Sequence, residues 1–123
     1  FRHPDAAVLR ARGDAIAGVV QAAVRDVEVS VEESFHALPV SFDPIVVDAV
    51  QRAAEALGLG AMRMPSGAFH DAQFVVPVCP TGMLFVPCRG GVSHNPAEYA
   101  EPAHLAAGAR VLAGALAELA GAG

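Results

Sequence analysis

Two polar runs decide how this chain is read. They are Ser66-Gly67-Ala68-Phe69-His70-Asp71-Ala72-Gln73 and Arg89-Gly90-Gly91-Val92-Ser93-His94-Asn95-Pro96-Ala97-Glu98. Between them lies Gly82-Met83-Leu84-Phe85-Val86-Pro87, a short apolar run suited to a covered strand. Polar loops at the ends of buried elements are where an open α/β sheet keeps its ligand. The class expected from this stretch is α/β.

Upstream, the pattern alternates between helix and strand. Phe1 to His3 reads as the end of a strand, followed by a helix to about Val24. Pro4 suits a first helical turn, Asp5 complements the positive end of the dipole, and Leu9, Ile16, Val20 and Ala23 share one face. Val27 to His36 alternates apolar and polar, as a strand covered on one side does. His36 on the polar face reads as a solvated histidine. A second helix begins at Asp43-Pro44 and stops at Gly58, with Ile45, Val46, Ala49, Val50, Ala53 and Leu57 as its apolar face. Ala61 to Met64 is expected as a short strand leading into the first polar run, and Phe74 to Val78 as part of a short helix. Glu101-Pro102 opens the last helix, on which Leu105, Ala109, Leu112, Leu116 and Leu119 form one stripe. The turn after Pro39 divides the chain into residues 1–40, the end of a small α+β unit, and residues 41–123, part of a larger α/β unit.

Composition narrows the function. The 123 residues are 54% apolar and 17% charged, which marks a globular domain. A net charge of −5 with no basic run argues against a nucleic-acid partner. Cys79 and Cys88 match no zinc-ribbon or redox spacing and read as two buried reduced thiols, which points to a cytoplasmic protein. No apolar run is expected to reach the roughly 20 residues of a membrane span. The chain opens at Phe1-Arg2-His3-Pro4-Asp5 with no initiator Met, as if inside a structural element. The rest of the site is therefore expected upstream of residue 1.

The polar runs hold the candidate chemistry. Gly67 and Ala68 are small enough for backbone N–H groups to approach a ligand. His70 and Asp71 set an imidazole beside a carboxylate, although an ordinary turn with Asp71 capping a short helix reads the same way. In the second run Gly90-Gly91 permits unusual backbone angles and His94 follows a buried strand. A neutral imidazole there suits a metal, with Asn95 or Glu98 near enough to orient its second nitrogen. A surface loop with one histidine is the plainer alternative.

Taken together, Ser-Gly-Ala-x-His-Asp-Ala, Pro-x-Gly-Met-Leu-Phe-Val-Pro and Gly-Gly-Val-Ser-His-Asn-Pro-Ala-Glu-Tyr resemble the C-terminal part of the amidase, hydantoinase/carbamoylase family, and Phe-Arg-His-Pro-Asp resembles its arginine-bearing strand. The resemblance implies the di-metal aminoacylase-like peptidase fold. Residues 1–40 would close a small dimerisation domain and residues 41–123 would belong to the catalytic domain. It further implies hydrolysis of a linear amide or ureide, such as an N-carbamoyl-L-amino acid or allantoate. His94 would ligate one of two divalent ions, zinc or manganese. Arg2 would bind the substrate carboxylate across a homodimer interface, and Gly67, Ala68, Phe69 and His70 would line the pocket. No catalytic residue falls within this chain, since the general base is expected upstream. One position departs from the family pattern: Phe69 stands where glycine is common, and its side chain resists backbone angles that glycine allows. Two rival readings accompany this one, a non-catalytic binding or dimerisation module and an aminoacylase or exopeptidase on the same fold.

Overall fold

The computed structural model describes residues 1–121. Its helices are α1 (Ala6–Ala23), α2 (Pro44–Ala56), the single-turn α3 (Ala72–Val75) and α4 (Pro102–Gly121), with a 3-10 turn at Arg89–Gly91. The chain divides into two compact units, one of Phe1–Ser41 with Pro65–Phe69 and one of Phe42–Met64 with His70–Gly123.

In the first unit, α1 starts where the sequence signals it. Asp5 is the N-cap, and its Oδ1 accepts from the N–H groups of Ala7 at 2.8 Å and Val8 at 3.0 Å. Pro4 therefore precedes the cap and is not part of the first turn. Of the expected apolar face, Leu9 is buried and Val20 half-buried, whereas Ile16 and Ala23 are exposed. The alternating segment 27–36 leaves Val27, Val31 and Phe35 exposed.

The second unit is built on α2 and α4. Asp43 caps α2 by accepting from Ile45 N–H at 2.8 Å, with Pro44 in the first turn. At the other end, Gly58 N–H bonds to Glu55 O at 2.9 Å and Leu59 N–H to Ala54 O at 3.0 Å. That pair of bonds, with Gly58 at φ 67°, is a Schellman stop of the kind glycine permits. Helices α2 and α4 pack through small side chains. Ala49, Ala53, Ala54, Val111 and Ala115 are buried together, and Val50, Leu57, Leu59, Leu84 and Leu119 close around them.

Apart from Leu119, the stripe expected on α4 is therefore not its buried face. Leu105, Leu112 and Leu116 are 53%, 48% and 58% exposed, while Gly108, Val111 and Ala115 are buried. Close approach of two helices selects the row with the least side-chain bulk, which places the leucine row on another face. Ile45 of α2 is likewise exposed. Helix α4 also corrects the expectation about apolar runs, since its 20 residues are long and apolar enough to cross a membrane by length and composition. Here it packs on α2, and its Glu118 pairs with Arg52 of that helix.

None of the expected strands, Phe1–His3, Val27–His36, Ala61–Met64 and Met83–Val86, is paired in a ladder among the described residues. A strand needs a hydrogen-bonded partner to form a ladder, and none of these segments has one among the described residues. Residues 82–86 nevertheless keep a two-residue period. A methyl group built on Gly82 would stand 2.7 Å from Val46 Cγ1, Leu84 joins the core, and Val86 Cγ1 lies 2.5 Å from where a Cβ on Gly108 would be. Phe85, between them, is 54% exposed. The run thus turns one face to α2 and α4, as a sheet strand turns one face to its covering helices. Asp43 N–H fixes its start by bonding to Thr81 O at 3.0 Å. Cys79 is exposed and Cys88 half-buried, which corrects the expectation that both thiols are buried. Val46 is β-branched and stiff, which leaves it little freedom to yield at Gly82.

Two outcomes follow. Gly82→Ala should destabilise the fold by about 1–3 kcal/mol through overpacking, read as a lower urea midpoint; an unchanged midpoint would contradict the close approach at Val46. The second concerns acid. The hydrogen bond from Arg52 holds the Glu118 carboxyl below its ordinary 4.5, and the N–H bonds of Val8 and Ala7 hold Asp5 below 3.8. A carboxyl depressed in the folded state stabilises above its unfolded value and loses that contribution as pH falls through the folded one. Stability should therefore be level near neutrality and decline below about pH 4.5, less steeply in Glu118→Gln.

Candidate functional site

Within the first unit, Arg2 and the loop Pro65–Phe69 meet. Arg2 Nε donates to Gly67 O at 3.0 Å, and Nη1 donates to Phe1 O at 3.2 Å. Two residues singled out for substrate binding are thus joined across 65 positions of sequence. Ala68 N–H points back to Ser66 Oγ at 3.2 Å, so this donor serves the loop's own turn. Phe69 stands edge-on to Phe35, with centroids 5.8 Å apart and planes at 79°. The bulky ring at a position where glycine was expected therefore clasps the segment that follows α1.

In the second unit, His70 is half-buried and its ring lies 5.5 Å from that of Phe85. The apolar run thus presents one face to the helices and its Phe85 ring to His70. Asp71 occupies the N-cap position of α3 without acting as a cap. Its backbone is already helical at φ −56°, ψ −29°, and its side chain makes no capping bond. A true N-cap residue has extended angles that let its side chain turn back to the first free amides. The plain reading of Asp71 as a capping residue is therefore corrected.

The second polar run is a closed, self-bonded turn. Gly90 and Gly91 have φ of 63° and 70°, the left-handed angles that the double glycine anticipates. His94 also has a left-handed φ, 54°, although it carries a side chain. Its N–H bonds to Glu98 Oε2 at 2.9 Å; Asn95 Oδ1 accepts from Ala97 N–H at 2.9 Å, and Asn95 O from Glu98 N–H at 2.8 Å. The expectation that Asn95 or Glu98 would orient the imidazole is corrected, since both side chains bond to the backbone. No described residue holds the His94 ring by a hydrogen bond, and His94 is exposed. The His94 backbone is thus held by its own loop while its ring nitrogens stay unengaged and open to a ligand. Among the described residues, no group of three or more His, Cys, Asp or Glu converges on one point.

Three residues that sequence reasoning passed over lock the base of this turn. Arg89 N–H bonds to Tyr99 O at 2.7 Å, and the Arg89 guanidinium lies 4.1 Å from the centroid of the Tyr99 ring. Its Nε and Nη2 both donate to Glu101 Oε1, at 3.1 and 2.8 Å. The available signal was a basic residue at the head of the loop with an aromatic and a carboxylate at its tail. A cavity of about 330 Å³ between α2 and α4, lined by Arg52, Ala53, Leu57, Arg110 and Glu118 among others, contains none of the loop residues. Its polar lining is largely spent in the Arg52–Glu118 pair, so it belongs to the helix packing.

With the loops in view, the class of protein is settled: residues 3–118 match peptidase family M20/M25/M40, and the chain belongs to that family. Its relatives narrow the likeness. It is 48% identical over 91 residues to an N-carbamoyl-L-amino-acid amidohydrolase of Rhizobium meliloti, covering 74% of this chain and 22% of that protein. It is 36% identical over 121 residues to an allantoate amidohydrolase of Escherichia coli (strain K12), covering 97% of this chain and 29% of the relative. The crystal structure of an amidase of the hydantoinase/carbamoylase family from Burkholderia multivorans superposes with a TM-score of 0.85 at 45% identity, covering 94% of this chain and 28% of that one. The chain thus spans about a quarter of the length of these proteins. The resemblance drawn from the polar runs is borne out, and the fold is that of these amidases. Among the described residues, four α-helices with extended segments left unpaired are consistent with part of an α/β domain.

Proposed function

We propose that this chain forms part of an amidohydrolase that cleaves a linear amide or ureide C–N bond, with an N-carbamoyl-L-amino acid or an allantoate-like carboxylate as substrate. The observation that carries the reading is His94, held at a left-handed angle by its own loop with its ring nitrogens unengaged. Backbone strain of this kind persists where the surroundings enforce it, and such positions cluster at functional sites. Membership of the M20/M25/M40 family and the names of the relatives support the same reading.

His94 would contribute one ligand to a pair of divalent ions, zinc or manganese, whose other ligands lie outside this chain. When bound, such ions lower the pKa of a water and polarise the scissile carbonyl. The chain's own residues bind and orient. Arg2 Nε is taken by Gly67 O, which holds the guanidinium beside the loop, so a carboxylate would be met by its Nη groups. Phe69, clasped on Phe35, would replace the open backbone of a glycine with an aromatic wall and so alter which substrates fit. His70, half-buried against Phe85, would present an imidazole edge to the pocket. Residues 1–40 would belong to a small dimerisation domain, with Arg2 acting across a homodimer interface in the cytoplasm.

The test is ammonia release from N-carbamoyl amino acids and from allantoate by the whole protein with added zinc or manganese, beside His94→Ala. Metal-dependent release is expected, falling at least about 100-fold in the variant together with bound metal, as loss of an essential ligand implies. Full activity and full metal content in His94→Ala would overturn the assignment.

A further inference from the structure

The loop that carries His94 has an unusual foundation for an exposed turn. Its two ends, Arg89 and Tyr99–Glu101, are bound through three different kinds of contact made by one arginine. The backbone N–H takes the Tyr99 carbonyl at 2.7 Å, the guanidinium face covers the Tyr99 ring at 4.1 Å, and the guanidinium edge forks onto Glu101 Oε1 at 3.1 and 2.8 Å. Within that base the turn closes on itself through Glu98 and Asn95. His94 is the residue left with an unfavourable φ, 54°, and no ring partner among the described residues.

We infer that Arg89, Tyr99 and Glu101 act as a positioning clamp that holds His94 in its left-handed conformation and so sets the direction in which its side chain leaves the loop. The inference rests on the reading of His94 as a metal ligand and extends it to residues that neither touch the metal nor the substrate. The reasoning is geometric. A β-carbon at positive φ is disfavoured, and the residue relaxes to ordinary angles unless the chain on both sides is pinned. Glu98 pins the His94 amide, but Glu98 lies inside the loop and moves with it. Arg89 instead ties the loop's first residue to the two residues that lead into α4, which starts at Pro102 and is packed on α2. The immobility of the helix pair is thus passed to the loop.

Arginine is needed for this in a way lysine is not. Its plane stacks on the Tyr99 ring while two N–H groups of its edge converge on Glu101 Oε1, and an ammonium group cannot do both. The ion pair is exposed, at 64% for Arg89 and 45% for Glu101, so salt screens that part while the stack and the backbone bond persist.

The test compares Arg89→Ala and Arg89→Lys with Arg52→Ala, which removes another exposed ion pair from the same unit. In the whole protein, zinc affinity is measured by chelator competition and amide hydrogen exchange is followed in a peptide spanning residues 92–98. Arg89→Ala is expected to speed exchange at the His94 amide at least about 10-fold and to weaken zinc binding about 10–100-fold, as loss of an outer-shell partner does. Arg89→Lys should fall between it and the parent, and Arg52→Ala should leave both readouts in place. The inference is overturned if Arg89→Ala leaves exchange within about 2-fold, or if Arg52→Ala matches its losses, which would mark a general effect on stability. His94→Ala separates this inference from the one beneath it. Unchanged zinc affinity in that variant removes His94 as a ligand, while the exchange readout still decides whether the clamp holds the loop.

Discussion

The contact on which the second unit depends is the close approach of α2 and α4. It is made by small side chains: Ala49, Ala53 and Ala54 on one helix, Val111, Gly114 and Ala115 on the other. Small side chains let the axes come together, and a methyl built on Gly114 would already stand 3.2 Å from Ala53 Cβ. Dispersion contacts accumulate only when surfaces touch, so this row stabilises the pair more than a row of poorly fitting larger side chains would. Residues 82–86 are then laid across both helices, with Gly82 against Val46 and Val86 against Gly108. In the chain, the turn carrying His70 precedes residues 82–86 and the turn carrying His94 follows them.

The same constraint explains which features could be read from the sequence. Helix starts and stops are local, so Asp43-Pro44 and Gly58 announced α2, and Asp5 announced α1, from side-chain chemistry alone. That 82–86 forms an extended run on the core was also legible from its apolar residues, although the exposure of Phe85 was not. The choice of face on α4 was not. Leu105, Leu112 and Leu116 make the more hydrophobic stripe, yet Gly108, Val111 and Ala115 are buried, since helix approach rewards small volume as well as hydrophobicity. Strand pairing was equally out of reach, because a ladder is a property of two segments and the apolar pattern describes one.

The candidate site shows a similar division. His94 and the Ser66–Gln73 run stood out because their residue types carry chemistry, Arg2 only through the family resemblance, which agrees with the match to peptidase family M20/M25/M40. What the sequence could not give was how each is held. Glu98 was expected to steer the imidazole and instead bonds to the His94 backbone. Asp71 was a candidate cap and caps nothing. Arg2 was singled out for a ligand and is also tied to the Gly67 carbonyl, a contact between distant positions that no spacing rule suggests. The support of the second loop by Arg89, Tyr99 and Glu101 was missed because arginine, tyrosine and glutamate are common surface residues whose meaning comes only from their juxtaposition.

The central claim is that this chain delivers His94 as a metal ligand from a loop rigidly based on the helix pair. Anomalous diffraction at the zinc edge from crystals of the whole zinc-loaded protein tests it most directly. The account predicts an anomalous peak about 2.0–2.1 Å from one His94 ring nitrogen, the usual zinc–histidine distance, with His94 still at positive φ. A peak coordinated entirely by other residues, with the His94 ring turned to solvent, would contradict it.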